Sequence, residues 1–352
     1  MKQQIFFIVG SLGAGGSERV YWLLSQYFNE RGYRVSLIYL NGNETCFSTN
    51  IPGINFIDLK TVKASRSFFK LYKIIKREKP FAVFSTTDHL NILTGLVSLF
   101  LNIPNLIARA SNDPKAMRTF NNFKAKFYNL FTRLAYRKFD TIVCQTEEMA
   151  SSTTSFYHTS RSKIIVIANP TLLNGYIKVK SEAKEHYHLV AVGRLAEEKG
   201  LFRLLETMAL LPEKYVLTII GTGKLMQGLL NYVVANKLEN RIIFKGHCNN
   251  VLVELLKYDL MVMTSFTEGF PNALLEALSV GLPVVTFAVS GSKELIKDSF
   301  NGFVVKQGNL KELQEKIIKA SNSIWQHNQI KADAFHRFNL KTIGAAYENL
   351  II

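Results

Sequence analysis

Residues 260–281 read LMVMTSFTEGFPNALLEALSVG. The opening run is apolar and predicts a buried strand over Leu260–Thr264. A polar loop follows, and helical spacing then predicts a helix over Pro271–Val280, with Pro271 in its first turn and Gly281 as its C-terminal stop. A buried strand that leads through a loop into a helix is the building unit of a parallel sheet covered by helices.

The same unit recurs along the whole chain of 352 residues. Apolar runs rich in Ile, Val and Phe predict strands at Gln4–Val9, Val35–Leu40, Asn55–Leu59, Phe81–Phe84, Asn105–Arg109, Thr141–Cys144, Ile164–Ile167, Leu189–Val192, Tyr215–Ile220, Ile242–Phe244, Val284–Phe287 and Phe303–Val305. The stretches between them predict helices, such as Ser17–Glu30, Arg66–Lys79, Lys115–Lys138, Leu201–Leu211 and Leu225–Ala235. We therefore expect an α/β protein with doubly wound parallel sheets.

The length of the chain suits two domains. The alternation of strands and helices pauses between Asn169 and His186, in a polar stretch that opens with Asn169-Pro170. We therefore expect domains over residues 1–170 and 171–335. A final helix is predicted near Ala332–Leu350, and its end, residues 336–352, is expected to pack back on the first domain.

Three features bear on location. The opening apolar run, IFFIVG, is too short for a signal peptide, and the three cysteines lie far apart, which fits a reducing cytosol. The charge-free stretch Leu90–Ala108 raises the question of a membrane span. It contains Gly95 and Pro104, so we interpret it as a buried helix, a break at Pro104 and a buried strand.

A glycine-rich loop, Gly10–Arg19, follows the first strand and opens the first helix. Bare backbone amides at a helix N-terminus suit a phosphate or a sugar hydroxyl, although a tight strand-to-helix turn has the same composition. A P-loop would need Lys where Gly16 stands, and a dinucleotide fingerprint would need Gly where Glu18 stands. Both of those nucleotide sites are excluded.

Two further loops follow strands of the second half. Gly193–Gly200 carries Arg194 and Lys199, which either converge on one anion at the carboxyl end of a strand or belong to a solvated charged loop. Glu268 lies in the loop before the helix at Pro271–Val280, and Glu276 lies in its second turn. The start of that helix favours an anion, and the carboxylates can accept hydrogen bonds from the hydroxyls of a sugar or ribose.

Together these loops resemble the sites of the retaining GT-B glycosyltransferases in glycosyltransferase family four, the group 1 glycosyl transferases. That family has a Gly-Arg-Leu…Lys-Gly loop, a later pair of glutamates with the spacing of Glu268 and Glu276, and a glycine-rich first loop like Gly13–Arg19. The three motifs occur here in the same order, from the start of the chain to about residue 281. The resemblance implies two Rossmann-like domains that face a central cleft, with a C-terminal helix that crosses back.

The resemblance also implies roles for individual residues. Arg194 and Lys199 would neutralise the departing diphosphate, Glu268 would contact the transferred sugar, and Glu276 would hold the ribose. Further donor-binding groups would be Gly193, the backbone amides near Gly269, Asn272 and Ala273, and the pair Gly15 and Gly16, which would let the first domain close over the donor. The configuration of the sugar would be retained, with the leaving phosphate helping to deprotonate the acceptor.

The chain departs from the family pattern in one place. Many members carry a His after the strand at Asn105–Arg109, whereas this chain reads Arg-Ala-Ser-Asn-Asp over 109–113. His89, in another strand-end loop, is the nearest candidate for a cleft His, although a capping or packing role fits it as well. No Asp-x-Asp triplet occurs in the sequence, so we expect no metal and no cofactor, and Arg194 and Lys199 would supply the positive charge.

The net charge of +16 is concentrated in the first half, because residues 1–180 hold 24 Lys and Arg against 10 Asp and Glu. Two segments there, Arg66–Lys79 and Lys115–Lys138, interleave cations with aromatic residues. Such helices bind anionic lipid or a phosphorylated lipid, or they bury an apolar face in a core and leave a solvated basic face. Candidate contacts to an acceptor or lipid phosphate are Arg66, Lys70, Lys73, Arg109 and Lys124. No nucleic-acid-binding module is present, so nucleic acid is not expected as a partner.

The sequence therefore predicts a glycosyltransferase that moves a sugar from a nucleoside-diphosphate donor, by family resemblance a UDP-sugar, to a polyprenyl-diphosphate-linked glycan or another polysaccharide precursor. It would work without metal on the cytoplasmic face of the plasma or inner membrane, in lipopolysaccharide, capsule or other polysaccharide biosynthesis. The alternative is a catalytically inactive GT-B module that binds a nucleotide or carbohydrate, or serves as a partner subunit. Intact Arg194, Lys199, Glu268 and Glu276 favour the enzyme, because a sensor need not keep cations for a leaving group.

Overall fold

The computed structural model describes residues 3–13, 15–42, 46–111, 113–114, 124–172, 175–178 and 185–352, with backbone only at 124–128. The chain divides into two compact units. Unit 1 comprises Met1–Pro170 together with Leu340–Ile352, and unit 2 comprises Thr171–Asn339. Each unit is built on its own parallel sheet.

Unit 1 contains a seven-stranded sheet with the order β3-β2-β1-β4-β5-β6-β7. Its strands are β1 (Gln4–Val9), β2 (Arg34–Tyr39), β3 (Ile54–Asp58), β4 (Ala82–Thr86), β5 (Asn105–Arg109), β6 (Thr141–Cys144) and β7 (Ile164–Val166). Its helices are α1 (Gly16–Glu30), α2 (Phe68–Glu78), α3 (Asp88–Val97), α4 (Lys124–Tyr136), α5 (Glu147–Tyr157) and the last helix of the chain, α13 (Leu340–Glu348). One core lies between the sheet and α1 with α13, and the other lies between the sheet and α2 to α5.

The last helix belongs to unit 1 because it is anchored on α1. A Cβ added at Gly344 would lie 2.5 Å from the ring of Tyr27, so α13 and α1 are in close contact there. The buried carboxylate of Glu348 accepts hydrogen bonds from Tyr27 Oη at 3.0 Å, Tyr33 Oη at 3.1 Å and Arg31 Nε at 3.2 Å. These contacts stabilise the return of the chain to the first unit.

Unit 2 contains a six-stranded sheet with the order β10-β9-β8-β11-β12-β13. Its strands are β8 (Tyr187–Val192), β9 (Tyr215–Ile220), β10 (Ile242–Gly246), β11 (Leu260–Met263), β12 (Val284–Phe287) and β13 (Gly302–Val305). Its helices are α6 (Leu201–Leu210), α7 (Met226–Ala235), α8 (Val251–Leu255), α9 (Asn272–Ser279), α10 (Ser292–Leu295), α11 (Leu310–Asn322) and α12 (His327–Phe338). The protein is thus an α/β protein with two Rossmann-like doubly wound units, as the sequence predicted.

The predicted strands agree with the structure to within two residues at each end, whereas two helix predictions were wrong in detail. The single helix expected over Ala332–Leu350 is interrupted at Asn339, which has extended backbone angles and separates α12 from α13. The break expected at Pro104 occurs earlier, since α3 already ends at Val97. In the part of the chain that the structure describes, no helix is both long and apolar enough to cross a membrane.

Candidate functional site

The strand order of unit 2 reverses between β8 and β11, which are neighbours in the sheet. The loop Gly193–Gly200 follows β8 and the loop Thr264–Pro271 follows β11, so both leave the carboxyl edge of the sheet at this switch point. Crevices at such a point are where ligands bind in open parallel sheets. The two motifs that the sequence singled out are therefore adjacent in the fold.

Short backbone contacts hold the two loops together. Gly200 has a left-handed backbone with φ of 59°, and a Cβ there would lie 2.3 Å from the carbonyl oxygen of Thr264. Thr264 Oγ1 donates to the carbonyl of Gly200 at 3.0 Å, and the amide of Phe266 donates to the carbonyl of Glu198 at 2.8 Å. Glycine is needed at position 200 because any side chain would separate the loops.

Lys199 and Glu268 form one hydrogen-bonded unit across these loops. Lys199 Nζ donates to Glu268 Oε1 at 2.6 Å, and Ser265 Oγ donates to the same oxygen at 2.6 Å. The two side chains are only 22% and 13% exposed, so the pair is largely shielded from water. The position of the Lys199 ammonium is therefore set by a carboxylate that the sequence had assigned to a separate role.

Arg194 is placed differently from Lys199. Its side chain is 78% exposed, and Nη2 donates to Glu198 Oε1 at 3.0 Å within the same loop. Exposed ion pairs of this kind are worth about 0–1 kcal/mol, so the guanidinium can exchange Glu198 for another anion at little cost. The two predicted cations thus have different carboxylate partners, Glu198 for Arg194 and Glu268 for Lys199.

Helix α9 adds a positive end to the same edge. It begins at Asn272, with Pro271 as its N-cap residue and no side chain bonded there, so the prediction that Pro271 lies in the first turn was off by one residue. The first amides of a helix, here those near Asn272 and Ala273, have no acceptor within the helix and carry its positive dipole end. Gly269 is buried in the preceding loop, and Glu276 lies half-buried in the second turn.

The glycine-rich loop lies at the corresponding switch point of unit 1, after β1. Helix α1 begins at Gly16 with Gly15 as its N-cap residue. A Cβ on Gly15 would lie 2.0 Å from Glu18 Oε2, so the carboxylate of Glu18 folds back over the start of its own helix, as in a capping box. This helix N-terminus already holds an anion, which favours a sugar hydroxyl over a phosphate at the loop.

His89 lies beside this loop. A Cβ on Gly10 would lie 3.7 Å from His89 Nε2 and 3.6 Å from Glu18 Oε1, so both side chains approach the end of β1. Burial lowers the pKa of His89, which favours the neutral imidazole at pH 7. Thr87, the N-cap residue of α3 two positions before His89, has φ of 66°, an uncommon value for a β-branched residue. His89 thus lies in the first turn of α3, at the switch point of unit 1, where burial favours its neutral form.

Arg109, a candidate contact of an acceptor or lipid phosphate, is buried inside unit 1. It is 2% exposed at the end of β5 and contacts three other segments of unit 1. Nη1 donates to Ser17 Oγ at 3.2 Å and to Thr86 Oγ1 at 3.4 Å, and Nη2 donates to Asn169 Oδ1 at 2.5 Å. The guanidinium that the sequence offered as a possible contact of an acceptor or lipid phosphate therefore joins the start of α1, the end of β4 and the segment after β7 inside the unit.

The other predicted acceptor contacts lie around α2. Arg66 in the turn before the helix and Lys70 and Lys73 on it are exposed. Lys70 Nζ also donates to the carbonyl of Leu59 at 2.7 Å. The side chain of Lys124 and residues 115–123, the first part of the segment predicted over 115–138, lie outside the described residues. Among the residues that the structure describes, no three His, Cys, Asp or Glu side chains are grouped so that they could hold a metal ion.

Sequence reasoning missed several residues that shape these sites. Ser265 and Glu198 bind the predicted pair Glu268 and Arg194, and Glu18 covers the start of α1. Ser265 and Glu198 stand within four positions of predicted residues, so proximity in sequence was the available signal. Nothing local distinguishes them from other polar loop residues, since their roles depend on where the neighbouring strand ends.

Comparison with known proteins gives the family. Residues 14–171 match the family model Glycosyltransferase Family 4, and residues 176–337 match Glycosyl transferases group 1. The chain is similar to an uncharacterized glycosyltransferase of Haemophilus influenzae, with 29% identity over 326 residues that cover 89% of this chain and 88% of the relative.

A second relative comes from Campylobacter jejuni and is named GalNAc-alpha-(1->4)-GalNAc-alpha-(1->3)-diNAcBac-PP-undecaprenol alpha-1,4-N-acetyl-D-galactosaminyltransferase. It is 27% identical over 316 residues, which cover 86% of this chain and 84% of the relative. In fold, the chain resembles sucrose-phosphate synthase from Thermosynechococcus elongatus, with a TM-score of 0.86, 16% identity and coverage of 99% and 98%. Because the two family models together account for almost all of both sheets, this chain belongs to the group 1 glycosyl transferases and has their two-domain GT-B fold.

Proposed function

We propose that this glycosyltransferase moves a sugar from a nucleoside-diphosphate donor, a UDP-sugar, to a polyprenyl-diphosphate-linked glycan, with retention of configuration and without a metal ion. The observation that carries the proposal is the shielded Lys199–Glu268 pair at the switch point of unit 2, on a loop that runs into the start of α9. A cation, a carboxylate and the positive end of a helix on one sheet edge suit the diphosphate and the sugar of such a donor.

The chemical task of this site is to stabilise a leaving group. When the bond from the anomeric carbon to the phosphate oxygen breaks, its electron pair stays on the diphosphate. The ammonium of Lys199, the guanidinium of Arg194 and the first amides of α9 stabilise that charge, and such preorganised donors are worth most where water is excluded. Glu276 accepts hydrogen bonds from the ribose hydroxyls, and Glu268 contacts the transferred sugar.

The acceptor attacks from the face that the diphosphate leaves. Its hydroxyl oxygen forms the new bond to the anomeric carbon, and its proton passes to the departing phosphate oxygen, so no separate base on the protein is required. This same-face displacement retains the configuration. The two cations take the place of a divalent ion, because they already supply positive charge next to the diphosphate.

The acceptor class is supported by the Campylobacter jejuni relative, whose name specifies a glycan on undecaprenyl diphosphate. A lipid-linked acceptor lies in a membrane, and residues 1–180 carry most of the net positive charge, with 24 Lys and Arg against 10 Asp and Glu. We place the enzyme on the cytoplasmic face of the plasma or inner membrane, in the biosynthesis of a surface polysaccharide such as lipopolysaccharide or capsule.

The surface of α2 supports contact with that membrane. Phe69 on α2 and Phe100 after α3 are 74% and 67% exposed, and both rings pack on Phe68, with centroids 5.3 and 6.0 Å away. These aromatic side chains lie among the exposed cations of α2. Cations attract anionic head groups, and exposed aromatic rings insert at the interface between head groups and acyl chains.

The test begins with nucleotide sugars of defined base and α configuration, screened for an increase in Tm. The stabilising donor is then incubated with a polyprenyl-diphosphate-linked glycan, and nucleotide release and the anomeric coupling constant of the product are measured. We expect release that depends on the acceptor and an α-linked product. A β-linked product would refute retention, and donor binding without transfer to any lipid-linked glycan would point to an inactive binding module.

A further inference from the structure

Arg203 on α6 lies next to the candidate site, with its guanidinium over two aromatic rings. Its guanidinium carbon is 3.8 Å from the ring centroid of Phe266 and 4.3 Å from that of Phe287. Phe266 belongs to the loop after β11, and Phe287 ends β12. A planar cation that contacts two rings in this way is restricted in its orientation.

The N–H groups of the Arg203 guanidinium donate hydrogen bonds to the same loop, which follows β11. Nε and Nη2 both donate to the carbonyl oxygen of Thr264, at 2.7 and 2.5 Å, and Nη1 donates to Gln307 Oε1 at 3.0 Å. Gln307 Nε2 in turn donates to the carbonyls of Ser265 and Ala288, each at 3.0 Å. Two consecutive carbonyls after β11 are therefore fixed by one side-chain network.

This hydrogen-bond network extends to Glu268 and Lys199, the residues that we propose act on the donor. Ser265, whose carbonyl is held by Gln307, donates its hydroxyl to Glu268 Oε1, and the same oxygen accepts Lys199 Nζ. Burial lowers the pKa of Arg203 to about 10, which still leaves the guanidinium charged at pH 7. The contacts thus run without a gap from Arg203 to the ammonium of Lys199.

We propose that Arg203 is a positioning residue, which orients Ser265 and Glu268, and through them Lys199, by fixing the backbone at Thr264. The inference rests on the proposed function of the Lys199–Glu268 pair. Arginine is required, because its planar guanidinium gives two N–H groups to one carbonyl while it also contacts the two rings. A lysine ammonium at position 203 has no faces to stack and cannot reproduce the fork.

The matched control is Arg241, in the same unit. It also donates hydrogen bonds to backbone carbonyls. Nε donates to the carbonyl of Tyr215 at 3.0 Å, and Nη2 donates to the carbonyls of Leu211 and Pro212, each at 3.1 Å. Arg241 immediately precedes β10, so it lies at the amino ends of the strands, opposite the candidate site. Removing either arginine frees backbone carbonyls, but only Arg203 is linked to Glu268.

The experiment compares R203A, R203K and R241A with the wild type. We expect R203A and R203K to lower kcat by about 10- to 100-fold, as for a misplacement of catalytic groups by a fraction of an ångström, with the donor KM within about threefold of the wild type. R241A should lower Tm and keep kcat. Guanidinium ion at millimolar concentration, far below the molar range that unfolds proteins, should enter the slot between Phe266 and Phe287 in R203A and restore kcat, whereas ammonium should not.

Amide hydrogen exchange of the segment 264–268 provides a second readout that does not require activity. The amide of Phe266, bonded to Glu198, should exchange faster in R203A, recover with guanidinium and remain protected in R241A. Unchanged exchange in R203A, or a kcat loss no larger than that of R241A, would overturn the positioning role. If the wild type itself transfers no sugar, the proposed function fails, and hydrogen exchange alone decides whether Arg203 fixes the loop.

Discussion

The ammonium of Lys199 lies 2.6 Å from Oε1 of Glu268, although 69 positions separate the two residues along the chain. The pair couples the loop after β8 to the loop after β11 at the switch point of the second sheet. Because both side chains are largely shielded, the removal of one partner leaves the other without its counter-charge in a site of low dielectric. Removal of either side chain should therefore affect stability as well as activity.

We expect Lys199→Met to lower kcat by roughly a hundredfold or more, because it removes a cation that stabilises the departing diphosphate. The control is Lys297→Met, which removes the partner of Asp333 at 2.5 Å in the same unit but before β13, at the amino ends of the strands. Steady-state kinetics and Tm are measured for both variants. Equal kcat values for the two variants would remove Lys199 from the mechanism.

Arg194→Ala should also lower kcat by roughly a hundredfold, since its guanidinium is available to the diphosphate. Its Tm should fall by no more than about 4 °C, because the Arg194 side chain of the Arg194–Glu198 pair is highly exposed and exposed ion pairs are worth about 0–1 kcal/mol. Differential scanning calorimetry and initial rates give the comparison. A large fall in Tm with little loss of kcat would assign Arg194 a structural role.

Sugar transfer should persist in EDTA. The expected reason is that Lys199, Arg194 and the start of α9 supply the charge that a divalent ion would otherwise bring. Nucleotide release is measured before and after chelation, and again after manganese or magnesium is added. Activity that disappears with EDTA and returns with either ion would contradict a metal-independent mechanism.

Reversal of charge on α2 should abolish vesicle binding. In the variant with Arg66, Lys70, Lys73 and Lys76 changed to Glu, we expect no sedimentation with anionic vesicles at physiological salt, because each cation near such a surface contributes about 1 kcal/mol. The wild type should be released as salt rises, since the Debye length shortens. Donor binding by unit 2 should be unaffected.

The matched variant for this test changes four exposed lysines of unit 2, Lys237, Lys293, Lys306 and Lys311, to Glu. It has the same net charge as the α2 variant and should still bind the vesicles. Loss of binding in both variants would mean that total charge, rather than the α2 surface, attracts the membrane. A wild type that ignores anionic vesicles even at low salt would refute membrane contact.

Asp88, the first residue of α3, should make stability depend on pH. Burial raises its pKa from 3.8 to about 6, so the folded protein binds the proton more tightly than the unfolded chain. This contribution is fully present below about pH 4, falls between about pH 4 and pH 6, and is lost above, at roughly 2–3 kcal/mol. Urea unfolding across that range should show the decline in the wild type, and Asp88→Asn should remove it. Parallel pH profiles for the two proteins would contradict the raised pKa.

Local sequence determined the strands, most of the helices and the two donor-side loops, because periodicity and the placement of Gly and Pro act over a few residues. The strand β11, the loop with Glu268 and the helix with Glu276 could all be predicted from residues 260–281. The loop Gly193–Gly200 could likewise be predicted from its own residues, and its last residue, Gly200, has a left-handed conformation in the structure. These features need no information from the rest of the chain.

Only the tertiary structure decided which side chains meet. Three features depend on strands that are neighbours in a sheet but distant in sequence. They are the Lys199–Glu268 pair, the hydrogen bonds from Arg203 to Thr264 and the burial of Arg109. The order of those strands is set by how whole faces of helices and sheet bury their apolar area, a property of the unit and not of any short segment. For the same reason the sequence could not show that Arg109 lies inside unit 1, where α1, β4 and the segment after β7 bring hydroxyl and amide oxygens to its guanidinium.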